Sequence, residues 1–186
     1  MFIQTEPTPN PASLKFLPGV QVMASGSAEF RHPEEAGVSP LARRLFEIDG
    51  VTGVYLGADF VTVSKAETTE WHHLKPSILG VIMENFTAGL PVIDPDAVAA
   101  DTAPAGADGA DGEVISQIVE LLDTRVRPAV AMDGGDIVFH GFDSGVVYLH
   151  MQGACAGCPS STLTLKHGIE NMLRHYIPEV TEVRAV

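Results

Sequence analysis

From Asp94 to Gly112 the chain reads DPDAVAADTAPAGADGADG, a stretch of Ala, Asp, Gly, Pro, Val and Thr with five acids, no base and no aromatic residue. Like charges repel along it, and its little apolar surface does not offset the entropy of ordering. The expectation is a flexible acidic linker over 94–112. No single core can run through such a segment, so residues 1–93 and 113–186 must each fold around their own. Each is long enough for one small domain.

Both flanking segments mix helix and strand periodicity, so the fold class is α/β (α+β): two small α/β domains joined by the linker. In residues 1–93, Phe2–Thr5 and Leu14–Leu17 read as strands separated by the Pro7-to-Pro11 turn. Ser39–Pro40 is a helix N-cap followed by proline at the first helical position. That helix stops at Asp49–Gly50. Strands over Val51–Leu56 and Phe60–Ser64 follow. A second helix over about Lys75–Ala88 presents Leu79, Ile82, Met83, Phe86 and Leu90 as its apolar stripe.

The second domain reads α-β-β-α-β. A helix over Glu113–Arg127 places Ile115, Ile118, Val119, Leu122 and Val126 on one face, and Pro128 ends it or tightens its last turn. Met132–Asp136 is a turn. Ile137–Gly141 and Gly145–Met151 form a hairpin across Phe142–Ser144. The last helix carries Leu165, Ile169, Met172, Leu173 and Tyr176, stops at Pro178, and leaves Val180–Val183 as a final strand.

Both cysteines of the chain lie in one corner, Gly153-Ala154-Cys155-Ala156-Gly157-Cys158, between a strand and a helix. Thiolates are soft ligands and nucleophiles, and a helix N-terminus lowers thiol pKa. Gly153 and Gly157 let the backbone turn so that both sulfurs face one way, and the small residues leave access open. A tetrahedral zinc site or a cubane cluster takes four thiolates. One chain offers two, so a complete soft-metal site needs Cys155 and Cys158 from each of two chains. Three readings stay open at this point: a shared metal site, zinc included; a thiol–disulfide redox pair; and incidental cysteines. Against the redox pair, the corner lacks a Trp-x-Gly-Pro context, and no βαβ unit is expected around it.

The run MDGGDIVFHGFDSGVVYLHMQGACAGCPSSTLTLKHGIENMLRHYIPEV resembles the C-terminal domain of NifU. The opening MFIQTEPTPNPASLKFLPG and the later WHHLKPSILGVIMENF resemble the N-terminal domain of Nfu-type proteins. The two matches cover nearly all of the chain outside the linker. The resemblance implies an iron–sulfur cluster carrier, not an enzyme. It implies a [4Fe–4S] cluster, with [2Fe–2S] as the variant, held between two subunits by Cys155 and Cys158. It further implies a homodimer when cluster-bound, an upstream cluster-assembly scaffold as donor, and apo iron–sulfur proteins as recipients. The N-terminal domain, lacking cysteine, is then for partner recognition or regulation. A CxxC redox protein and a zinc-bridged adaptor are the alternatives.

Net charge of -13 argues against nucleic acid and anionic lipid as partners. No apolar run approaches the ~20 residues that span a bilayer. The N-terminus has no signal-peptide or transit-peptide pattern, and Nfu-type relatives in eukaryotes carry a targeting extension, so a cytoplasmic setting is expected. A processed organellar chain would look the same.

Other motifs read as structure. Asp133-Gly134-Gly135-Asp136 is a turn rather than a paired-carboxylate site, with a contribution to the surroundings of the cysteine corner. His72 and His73 cannot face one way on a helix or strand. His140 and His150 are partly exposed strand positions. Ser160 and Ser161 are helix caps, and Trp71 anchors the start of its helix in the core.

Overall fold

The structure, a computed structural model, describes residues 1–97, 111–156 and 159–186, and of 159–161 only the backbone. It divides into two compact units, Met1–Thr102 and Ala103–Val186. Most of the expected linker, 98–110, lies outside the described residues. Of its ends, Asp94 donates its backbone N–H to the Val38 carbonyl at 2.8 Å, and Gly112 opens a helix. No helix among the described residues is long and apolar enough to cross a membrane.

The first unit is a five-stranded antiparallel sheet in the order β1-β2-β5-β4-β3, with two helices packed against it. Its elements are β1 (Gln4–Pro7), β2 (Ser13–Leu17), β3 (Ala28–Phe30), α1 (Pro40–Phe46), β4 (Val51–Leu56), β5 (Val61–Lys65) and α2 (Trp71–Thr87). β1 starts two residues later than expected and takes in Pro7. An edge strand tolerates proline because its outer N–H groups have no ladder partner. Asn10 organises the turn between β1 and β2: its Oδ1 accepts from the Ala12 N–H at 3.0 Å. Ser39 caps α1 as expected, accepting from the Ala42 N–H at 3.0 Å and donating to the Val92 carbonyl at 2.6 Å.

α2 departs from the expectation. It starts at Trp71 rather than Lys75, and Pro76 lies inside it. The indole of Trp71 donates to the Pro11 carbonyl at 3.1 Å, which pins the extra turn down. The buried stripe is accordingly Leu74, Ile78, Ile82 and Asn85, while Met83 and Leu90 are exposed.

The second unit is a three-stranded sheet, β6-β7-β8, with β7 and β8 parallel. α3 (Gly112–Leu121) runs through a π turn (Leu122–Val126) into α4 (Arg127–Met132). Then come β6 (Gly135–Asp143), β7 (Val146–Gly153), α5 (Pro159–Tyr176) and β8 (Glu182–Ala185). Pro128 therefore does not end the first helix. A proline has no N–H to offer the preceding turn, and here the ladder widens just before it, with the Arg127 N–H reaching the Leu122 carbonyl five residues back. Gly135 and Asp136, expected in a turn, begin β6 instead. Parallel strands need a crossover, and α5 supplies it. β7–α5–β8 is thus a βαβ unit around the cysteine corner, contrary to the expectation.

The core of this unit joins Ile118, Leu122 and Val126 to Ile137, Val147, Leu149, Ile169, Leu173 and Ile177. Tyr176, expected on the buried stripe of α5, is 48% exposed, and Ile177 takes its place. Leu173→Ala is expected to lower unfolding free energy by about 2–5 kcal/mol in urea titration. Tyr176→Ala, which loses a half-exposed ring under Arg125 at 5.1 Å and edge-on to His175 at 5.0 Å, should cost less than about 1 kcal/mol. Equal losses would contradict the packing described.

Candidate functional site

The cysteine corner is held at the open end of the β6–β7 hairpin. Side chains alternate along β7, so Val147, Leu149 and Met151 point into the core while their neighbours do not. Gly153 ends the strand at φ 63, and Gly134, just before β6, has φ 78. These left-handed conformations suit glycine. The ladder pairs Gly135 with Gly153, and the Ala154 N–H continues it by donating to the Gly134 carbonyl at 3.1 Å. The Ala156 N–H closes a tight turn onto the Gly153 carbonyl at 3.1 Å.

Cys155 is 8% exposed. The openness expected of an Ala/Gly corner is not what its sulfur experiences. The thiol rests directly on Gly135, where a Cβ would lie 2.5 Å from Sγ and 2.9 Å from both the Cys155 nitrogen and the Gln152 carbonyl oxygen. Sulfur fills the space that any other residue at 135 would need. From α5, the Thr162 hydroxyl reaches the Cys155 carbonyl at 3.4 Å. Cys158 lies outside the described residues, as do the side chains of Ser160 and Ser161. Two large apolar side chains near these residues in sequence are exposed: Met132, before Gly134, at 75%, and Leu163, after Thr162, at 59%.

Beside Gly135 sits Asp136, a buried carboxylate. The guanidinium of Arg127 grips it with both prongs, Nε to Oδ1 at 2.9 Å and Nη2 to Oδ2 at 2.8 Å. Its Nη1 reaches Asp123 at 3.0 Å. Asp136 Oδ1 also accepts from the Ile137 N–H at 2.8 Å. The paired carboxylates, with Asp136 in first place, hold the Arg127 guanidinium still further into its charged form. Sequence alone gives Arg127 no role beyond ending a helix, and Asp136 reads as a turn residue. The π turn that aims Arg127 leaves no local signature beyond the Arg-Pro step.

The histidines gather no metal donors. Among the described residues no group of three or more His, Cys, Asp or Glu side chains could hold a metal ion. His72 and His73 do lie together, with ring centroids 3.9 Å apart, although their Cβ directions diverge on the helix. His150 faces Val138 across the hairpin, and its Nδ1 lies 3.0 Å from the Val186 carbonyl oxygen. The ladder slips between Phe139 and Gly141, so His140 has no partner in register. Of the two thiols, Cys155 is described, seated in a cradle made by glycine.

Residues 3–89 match the family described as scaffold protein Nfu/NifU N terminal, and residues 118–184 match the NifU-like domain. A Drosophila simulans protein named NFU1 iron-sulfur cluster scaffold homolog, mitochondrial, is 54% identical over 187 aligned residues. Its namesake in Drosophila sechellia is also 54% identical. All of this chain is matched in both cases, and the chain spans 65% of the length of each relative. A solved NifU-like protein from Saccharomyces cerevisiae overlaps 51% of this chain and 86% of its own, at 30% identity and a TM-score of 0.47. The relatives' mitochondrial names overturn the expectation of a cytoplasmic setting. That expectation rested on the lack of a signal-peptide or transit-peptide pattern at the N-terminus.

Gly135→Ala is expected to destabilise the chain by about 1–3 kcal/mol in urea unfolding, because two of the three atoms it would strike are backbone and cannot swing away. Gly134→Ala, which meets the left-handed penalty, should cost about 1–2 kcal/mol. A neutral Gly135→Ala would mean that the thiol does not occupy this place.

Proposed function

The chain belongs to the Nfu/NifU family, and from that membership we propose that it is an iron–sulfur cluster carrier rather than a catalyst. The observation that carries the reading is the seat of Cys155: a thiol at a strand-to-helix corner, held over glycine, in a chain with two cysteines in all. Cys155 and Cys158 supply half of a four-thiolate set, and a second copy supplies the other half. The cargo is a [4Fe–4S] cluster taken from an upstream assembly scaffold and handed to apo iron–sulfur proteins. Ligand exchange proceeds one thiolate at a time, which a cluster between two chains permits better than an enclosed one.

The division of labour follows from the same reading. Residues 113–186 hold the cluster, 94–112 connect, and residues 1–93, which contain no cysteine, recognise partners. A mitochondrial setting, as in the named relatives, goes with this role. The βαβ unit around the corner favours one second reading, a thiol–disulfide redox protein, since such units carry CxxC pairs in redox folds.

Anaerobic reconstitution of the full chain with iron and sulfide separates the two. The carrier should take up about four irons per two chains, gain visible charge-transfer absorbance, and shift to a dimer. Cys155→Ala or Cys158→Ala should abolish all three. A cluster that persists in a strict monomer overturns the bridging arrangement. Metal-free reduction of a test disulfide by the wild-type chain favours the redox reading.

A further inference from the structure

The pair Arg127–Asp136 is buried on its acidic side and lies next to the cradle, yet neither residue offers a ligand. Removing a carboxylate from water costs several kcal/mol, and ion pairs of this kind rarely raise stability over an apolar substitute. Their well-attested use is to fix one geometry. Here the geometry concerns a single contact. Asp136 is joined to Gly135 by one peptide bond, and Gly135 is the floor on which the Cys155 sulfur rests. Two parallel hydrogen bonds from a planar fork hold the Asp136 carboxylate in both position and orientation. The fork is itself held from the other side by Asp123, one turn back on the helix. The π turn matters because it sets the direction in which Arg127 leaves the helix.

We propose that Arg127, acting through Asp136, is a positioning residue for Cys155: the ion pair clamps the first residues of β6 so that Gly135 stays under the thiol. What Cys155 is positioned to do rests on the carrier reading, whereas the clamp itself is a property of the metal-free chain. The clamp predicts that loosening the pair frees the thiol locally, beyond any general loss of stability.

The experiment uses the full chain with Cys158→Ser, so that Cys155 alone reports. The rate of its alkylation by iodoacetamide is measured at fixed pH and temperature, beside urea unfolding, for Arg127→Gln, Arg127→Lys and Asp136→Asn. Leu173→Ala, a core truncation far from the pair in sequence, serves as the control for global destabilisation. Arg127→Gln and Asp136→Asn should raise the rate roughly tenfold over the control when compared at equal residual stability. Arg127→Lys keeps the charge over the buried carboxylate but not the fork, stays folded, and should recover part of the protection. Rates that follow residual stability alone, on the same line as Leu173→Ala, overturn the proposal. In the parent chain that retains both cysteines, the same substitutions should speed loss of the reconstituted cluster's absorbance. If that chain takes up no cluster at all, the carrier reading fails, while the alkylation rates still decide the clamp.

Discussion

The Cys155 sulfur occupies the place where residue 135 would otherwise carry a side chain, and much of the second unit can be understood from that contact. Two backbone segments approach this closely only where neither has a Cβ in the way. Glycine at 135 makes the approach possible, and the left-handed turns at Gly134 and Gly153 bring the two chain segments together. The hairpin ladder then delivers the corner at the end of β7, and α5 departs from it toward β8. The thiol is thereby seated at one place, against the floor that Gly135 provides.

The contrast between the two sides of this contact is chemical. On one side lies an apolar core of Ile137, Leu149, Met151 and Ile169, indifferent to small shifts. On the other lies a charged pair with strict angular demands. Hydrophobic packing holds the hairpin as a body, and the ion pair sets its first residues to within the tolerance of a hydrogen bond. Apolar contacts alone are less directional, and a core of similar volume can accept several arrangements.

Features carried by neighbours in sequence were legible before any coordinates. Ser39–Pro40 announced the start of α1 because a cap and its target are three residues apart. The α-β-β-α-β order of the second unit was readable from periodicity. Features that depend on a partner far along the chain were not legible. Trp71 lengthens α2 through a carbonyl at Pro11, and the buried stripe takes in Asn85, a polar residue that no hydropathy count would select. Burial of Cys155 depends on strand pairing with Gly135, and a local count of small residues suggested the opposite. The Arg127–Asp136 pair spans a short helix, a turn and the start of a strand, so spacing alone carried no sign of it.

The π turn at Leu122–Val126 has one more consequence. An α-helix couples every side chain to every other through a fixed angle, so an apolar stripe and a cationic side chain on one helix cannot be aimed independently. One widened turn breaks that coupling. Upstream residues keep the phase that buries Ile118 and Leu122, while Arg127 and Val130 downstream follow a second phase. The helix behaves as two short rods sharing an axis with an angular offset between them, so each end can accumulate substitutions without re-aiming the other.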